Sequence, residues 1–103
     1  MTNLIVLYPQ PTDVKKFESD YAEHIILLHE KIGIPKNVKP YSVTKFLSAA
    51  EGESPFFQMF TMPFESVEAL NEAMSSPGMQ EVAADANRIS SGGNPIVLIG
   101  KTK

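Results

Sequence analysis

The chain has 103 residues, 43% of them hydrophobic and 20% charged, which suffices for one core and is too ordinary a composition for disorder. Its formal charge is −3 and its nine lysines and arginines are dispersed, with Lys15 and Lys16 the only adjacent pair, so no nucleic-acid partner is expected. No cysteine is present, which removes disulfides, thiolate metal sites and a cysteine nucleophile and fits the cytoplasm. The longest apolar runs are about five residues, against the roughly 20 that a bilayer crossing needs, so no membrane span is expected.

The first apolar run, Leu4 to Tyr8, is ended by Pro9 and reads as a short strand buried on both faces. No basic residue precedes it and Pro9 and Pro11 follow it, so it is not a signal peptide. Thr12 and Asp13 then stand where an N-cap belongs, opening a long amphipathic helix from Thr12 to Ile32. Its apolar side chains, Val14, Phe17, Tyr21, Ile25, Leu28 and Ile32, recur at steps of three and four and so share one face. Gly33 closes this helix and Pro35 prevents its resumption.

Val38 to Leu47 is rich in β-branched and aromatic residues and predicts an antiparallel strand, with Pro40 marking an edge or bulge near its start. A polar loop from Ser48 to Pro55 leads into the second strand of the hairpin, Phe56 to Met62, whose two adjacent phenylalanines put apolar surface on both faces. Ser66 caps a second helix with Val67, Leu70 and Met74 as its stripe. Ser76 and Pro77 are the N-cap and first position of a third, in which Met79, Val82, Ala83 and Ala86 face inward. The loop Ser90 to Pro95 precedes a last apolar strand, Ile96 to Ile99, and the tail Lys101 to Lys103 is expected to fray.

This order, β-α-β-β-α(α)-β, predicts an α+β, ferredoxin-like antiparallel sheet with helices on one side, as a single domain over residues 1–103. Helices on one side leave the other face of an apolar sheet bare. A second copy of the chain, packed sheet against sheet, is the economical cover, so a homodimer closed like a barrel is expected.

His24 lies at the edge of the helical stripe, where an imidazole can exchange protons with a small ligand as general acid or base. Asp20, four residues earlier on the same face, is placed to orient its ring. His29 lies about 140° further round the helix and is expected in solvent, so the two histidines cannot clamp one metal. Tyr8, Tyr21 and Tyr41 can bring phenolic hydroxyls to a pocket lined by Phe46, Phe60 and Met62, which suits a small apolar or aromatic ligand. Gly92 and Gly93 lack the order and setting of a phosphate-binding loop, and no serine nucleophile motif occurs.

The opening LIVLYPQPTD, Phe17 with Tyr21 and His24, the stretch ESVEALNEAMSSPGMQEVAAD from Glu65 to Asp85 and SSGGNPIVLIG from Ser90 to Gly100 together resemble the ethyl tert-butyl ether degradation (EthD) family of the dimeric α+β barrel superfamily. That family's first helix carries a tyrosine and, four residues later, a histidine followed by a short residue and proline. Here His24 follows Tyr21 by three, and Ile26 stands where the proline would fall. The resemblance implies the fold, the dimer and a cavity between sheet and helices, and carries over Tyr21 and His24 of the first helix; with Asp20 from the helical spacing these are the candidate catalytic residues. It also implies a small enzyme, of the cofactor-free monooxygenase or isomerase kind, or an oxygenase accessory. The alternatives are a non-catalytic binding module and a haem protein with His24 as axial ligand; no cofactor is otherwise indicated.

Overall fold

The computed structural model describes residues 1–103 and has the order β1 (Thr2–Pro9), α1 (Val14–Ile32), β2 (Ser42–Lys45), β3 (Phe56–Phe64), α2 (Val67–Met74), α3 (Pro77–Ile89) and β4 (Ile96–Lys101). The strands form one antiparallel sheet in the order β2-β3-β1-β4, the ferredoxin-like α+β arrangement expected from the sequence. The register Leu4↔Met62, Val6↔Phe60 and Tyr8↔Gln58 puts alternate residues of the two central strands on the helix-covered face. Leu4, Tyr8, Phe60 and Met62 are buried there, whereas Ile5, Leu7 and Met59, on the opposite face, are half-buried. No helix is long and apolar enough to cross a membrane.

Helix α1 starts where its sequence says it should. The Asp13 side chain accepts from the Lys16 backbone N–H at 3.1 Å, which satisfies one of the donors that a helix leaves unpaired at its start. Gly33 takes the left-handed conformation (φ 73°) that ends the helix, its N–H donating to the His29 carbonyl. Between these caps the stripe buries Phe17, Tyr21, His24 and Leu28 against the sheet and α3. Each large apolar member contributes about 1.5–3 kcal/mol of transfer free energy. Ser66 and Ser76 cap α2 and α3 by the same side-chain acceptance, from Ala69 and Met79.

Four local expectations are corrected. The strand predicted over Val38–Leu47 is reduced to Ser42–Lys45, because Val38 N–H bonds back to Pro35 O in a turn and Pro40 has no donor for a ladder. Strand β3 runs on through Pro63, which is tolerated because β2 pairs only as far as Thr61 and leaves β3 an edge beyond it. The C-terminal tail is held rather than frayed: Thr102 N–H donates to Met1 O at 3.0 Å and its hydroxyl accepts from Asn3 at 2.6 Å. Finally, β1 is not buried on both faces: Leu4 and Tyr8 are buried, while Ile5 and Leu7 are only half-buried in the single chain, beside the exposed edge strand β4.

The β4 approach turn depends on a glycine for reasons of space. A Cβ on Gly92 would lie 1.8 Å from the Gln10 carbonyl oxygen, a backbone atom that cannot step aside without moving the β1–α1 connection. Gly92→Ala is therefore expected to lower stability by about 1–3 kcal/mol, the usual cost of overpacking, read as a lower urea midpoint at unchanged slope.

Candidate functional site

Between β1, α1 and the α2–α3 pair lies a cavity of about 90 Å³. Its walls are Leu4 and Val6 of β1, Leu28 of α1, Phe60 of β3 and Val82 and Ala86 of α3, with Val97 of β4 and Ala83 at an exposed rim. Three of its lining residues carry polar groups: Tyr8, His24 and Asn87. Asn87, exposed at the rim, donates one amide N–H to the Ala83 carbonyl at 3.3 Å. Tyr8, 2% exposed, has no hydrogen-bond partner for its hydroxyl within the chain. Burial, and then the negative charge of Asp85, push its phenol well above the ordinary tyrosine range, so it remains a proton donor.

His24 is 5% exposed and its Nδ1 lies 2.8 Å from Asp85 Oδ2. The other oxygen, Asp85 Oδ1, accepts from Arg88 Nε at 2.8 Å. Burial works to raise the Asp85 carboxyl, but the hydrogen bonds from His24 and Arg88 and the Arg88 charge outweigh it and hold the group below its usual range. At neutral pH the carboxylate is thus an acceptor only, so Nδ1 carries the proton that His24 donates to it. In the neutral ring the lone pair is then on Nε2, which has no partner in the chain and belongs to the one cavity-lining imidazole.

The lowered Asp85 value has a stability consequence. The folded state holds the carboxylate ionised more firmly than the unfolded chain does. Its contribution is fully present above the unfolded aspartate value of about 3.9, and is lost as pH falls through the lower folded value. The difference in unfolding free energy between the wild type and Asp85→Asn is expected to shrink as pH falls below about 4, as urea titrations at stepped pH would record.

Of the residues singled out from sequence, the fold brings His24, Tyr8 and Phe60 to this cavity. Asp20 does not orient His24: its Oδ2 pairs with Lys16 Nζ at 3.0 Å, one turn back along α1, while Asp85 of α3 takes the imidazole. Tyr21 does not line the cavity. Its ring stacks on Phe17 (centroids 5.7 Å apart) and meets Tyr8 edge-on (5.5 Å) and His24 (5.6 Å). Its hydroxyl and Gln58 Nε2 are both buried without a partner, and burial pushes this phenol up as well. Met62 is core, and Phe46 is a half-buried residue next to β2 that does not line this cavity.

Tyr41 is also elsewhere, on a wider surface cleft of about 690 Å³ between α1 and the segment after it. There it bonds His29 Nε2 at 2.6 Å, while His29 Nδ1 faces the carbonyls of Ile34 and Pro35 at 3.3 and 3.2 Å. His29, expected in solvent, is half-buried and ties the α1–β2 connection to the helix. The imidazole and phenol of this cleft are thus spent on each other and on the α1–β2 connection, while its remaining polar lining, Glu30, Lys36, Asn37 and Lys39, is exposed.

Asp85 is the neighbour of His24 that residue-by-residue reading misses. It stands three residues after Val82 and four before Ile89, in the middle of the buried face of α3. A carboxylate on an apolar stripe has to find a partner, and that signal was legible. No three histidine, cysteine or acidic side chains converge as a metal site. The 90 Å³ cavity does not fit a haem, being far below even the roughly 300–1,000 Å³ of ordinary small-ligand pockets.

No protein-family model matches the chain, and no curated protein matches it. Among solved structures it is similar to an EthD family protein from Bacillus halodurans, with 28% identity and a TM-score of 0.82 over 100% of this chain and 99% of that one. An EthD-like protein from Ralstonia eutropha matches at 21% identity and TM-score 0.67, covering 97% and 89% of the two chains. A dimeric ferredoxin-like protein of unknown function from Jannaschia matches at 13% identity and TM-score 0.70, covering 98% and 97%. At their lower identities the last two likenesses speak for the fold alone.

Proposed function

Taking as premise that the chain resembles EthD proteins in sequence and fold over its whole length, we propose that it is a small homodimeric protein performing proton transfer on a compact, largely apolar molecule. The observation that carries this reading is the Asp85–His24 pair, whose free Nε2 is the only basic atom on an apolar cavity. Such an arrangement fixes the tautomer and stabilises the imidazolium formed when Nε2 accepts a proton, which is the requirement for a general base working near neutral pH. With no cysteine to oxidise, we place its work in the cytoplasm.

The homodimer is supported by the uncovered face of the sheet. Ile5, Leu7 and Met59 of the central strands lie beside Ile96 and Leu98 of β4, which are 42% and 47% exposed. A contiguous apolar sheet face of this kind is what a second copy would bury.

Native mass spectrometry of gently purified protein tests both parts. The expected spectrum is a dimer, with a discrete small added mass when a ligand is retained. A monomer at micromolar concentration would remove the sheet-to-sheet assembly. The His24→Gln variant is expected to remain dimeric while losing turnover of any substrate so identified, and undiminished turnover would remove the acid–base role.

A further inference from the structure

Resting on the acid–base reading above, we propose that the cavity selects a small neutral aldehyde or ketone, with Tyr8 donating a hydrogen bond to its carbonyl oxygen while His24 Nε2 removes a proton from the adjacent carbon.

Three features of the cavity converge on this class. The first is size. An apolar cavity of roughly 150 Å³ is enough for benzene, and about 90 Å³ therefore suits a molecule of benzene's bulk or smaller. The second is the polar inventory. Asn87 is exposed at the rim, and among the buried lining residues the side chains offer one acceptor, His24 Nε2, and one donor, the Tyr8 hydroxyl. A ligand matching both needs an acidic hydrogen and, next to it, an oxygen that accepts.

The third feature is charge. No lysine or arginine lines the cavity, and the nearest fixed charge is the Asp85 carboxylate, close enough to disfavour ionisation of Tyr8. Arg88, the one cation nearby, is engaged by Asp85. A carboxylate or phosphate ligand would shed its hydration and face the Asp85 charge with no lysine or arginine in the lining to offset that cost. A neutral carbonyl compound carries no such cost, and its negative charge develops only in the transition state, on the oxygen facing Tyr8.

The step balances without a cofactor. The α-carbon–hydrogen bond breaks and its proton goes to Nε2. The electron pair forms the carbon–carbon double bond, and the carbonyl π pair moves to oxygen as an enolate held by the Tyr8 hydroxyl. The imidazolium is stabilised through Nδ1 by Asp85. Reversal returns a proton or deuteron to carbon, so in heavy water the reaction appears as hydrogen–deuterium exchange with no net change of substrate.

The test follows α-hydrogen exchange of cyclopentanone in deuterated buffer near neutral pD by proton NMR, with cyclopentanecarboxylate as an anionic competitor of similar size. Wild-type protein is expected to accelerate exchange above buffer. Tyr8→Phe, which keeps the ring against Phe17 and Tyr21, should retain the dimer and its melting temperature while losing about 100-fold in rate, the effect of removing one oxyanion donor. The carboxylate should not compete. Exchange that survives Tyr8→Phe, or competition by the carboxylate at the ketone's own concentration, overturns this inference alone. Absence of exchange in the wild type, or equal exchange in His24→Gln, overturns the acid–base reading with it.

Discussion

Phe17→Ala is expected to remove about 3–5 kcal/mol of stability, the largest loss available to a single truncation of α1. Phe17 is 1% exposed and is the hub of the aromatic cluster that joins this helix to the sheet. Its ring meets Tyr8 and Phe57 edge-on at 5.4 and 5.6 Å and stacks on Tyr21 at 5.7 Å. Truncation therefore forfeits burial of the ring and the geometry of three aromatic pairs, each worth about 0.5–1.5 kcal/mol beyond its area. The neighbours belong to two strands and one helix whose backbones are hydrogen-bonded, so they can close only part of the void. Against a total stability of roughly 5–15 kcal/mol for a domain this size, the variant should fold with a much lower urea midpoint and an unchanged slope. Val14→Ala, at an apolar position of the same helix that is 42% exposed, should cost no more than about 0.5 kcal/mol. A Phe17→Ala loss as small as that would mean that α1 does not rest on the sheet through this ring.

The path from residues to fold was short where the physics is local. Asp13, Gly33, Ser66 and Ser76 each announce a helix end by a side chain or a backbone freedom that acts within four residues, and the helix boundaries follow them. The stripe of α1 was legible for the same reason: a spacing of three and four is a property of the helix alone. The site is different because it is made across the chain. His24 could be picked out as a polar residue beside an apolar stripe, but its partner lies 61 residues away on α3, and the nearer carboxylate, Asp20, was the more obvious choice. Helical proximity proved the weaker guide, since Asp20 finds the exposed Lys16 ammonium one turn back on its own helix whereas the buried imidazole takes its acceptor from across the interface. The phenols dispersed for a similar reason. Tyr8, Tyr21 and Tyr41 are alike in sequence, and only strand register and the packing of α1 decide that Tyr8 borders the cavity, Tyr21 is sealed within the cluster and Tyr41 is bound by His29.

Asp85→Asn is expected to lower the proton-transfer rate by about 10²–10³-fold while the chain stays folded, and Asp20→Asn to leave it within about twofold. The carboxylate acts in two ways that the amide cannot reproduce together. By accepting from Nδ1 at 2.8 Å it leaves the Nε2 lone pair as the base. An asparagine can instead present its amide N–H to Nδ1, which favours the opposite tautomer and puts a proton on the nitrogen that should receive one. Even with its carbonyl turned toward the ring, it lacks the charge that stabilises imidazolium. At an effective dielectric near 20, a unit charge about 4 Å away is worth about 4 kcal/mol, close to three powers of ten before water and Arg88 reduce it. Arg88 already neutralises part of the Asp85 charge, which is why the lower end of that range is included. Fold stability should change by only about 1–2 kcal/mol, because the amide keeps one hydrogen bond to the imidazole. The measurements are the exchange rate against pH and the urea midpoint for each variant. An equal loss from Asp20→Asn would return the orienting role to α1, whereas a loss confined to Asp85→Asn would identify the α3 carboxylate as the group that orients His24.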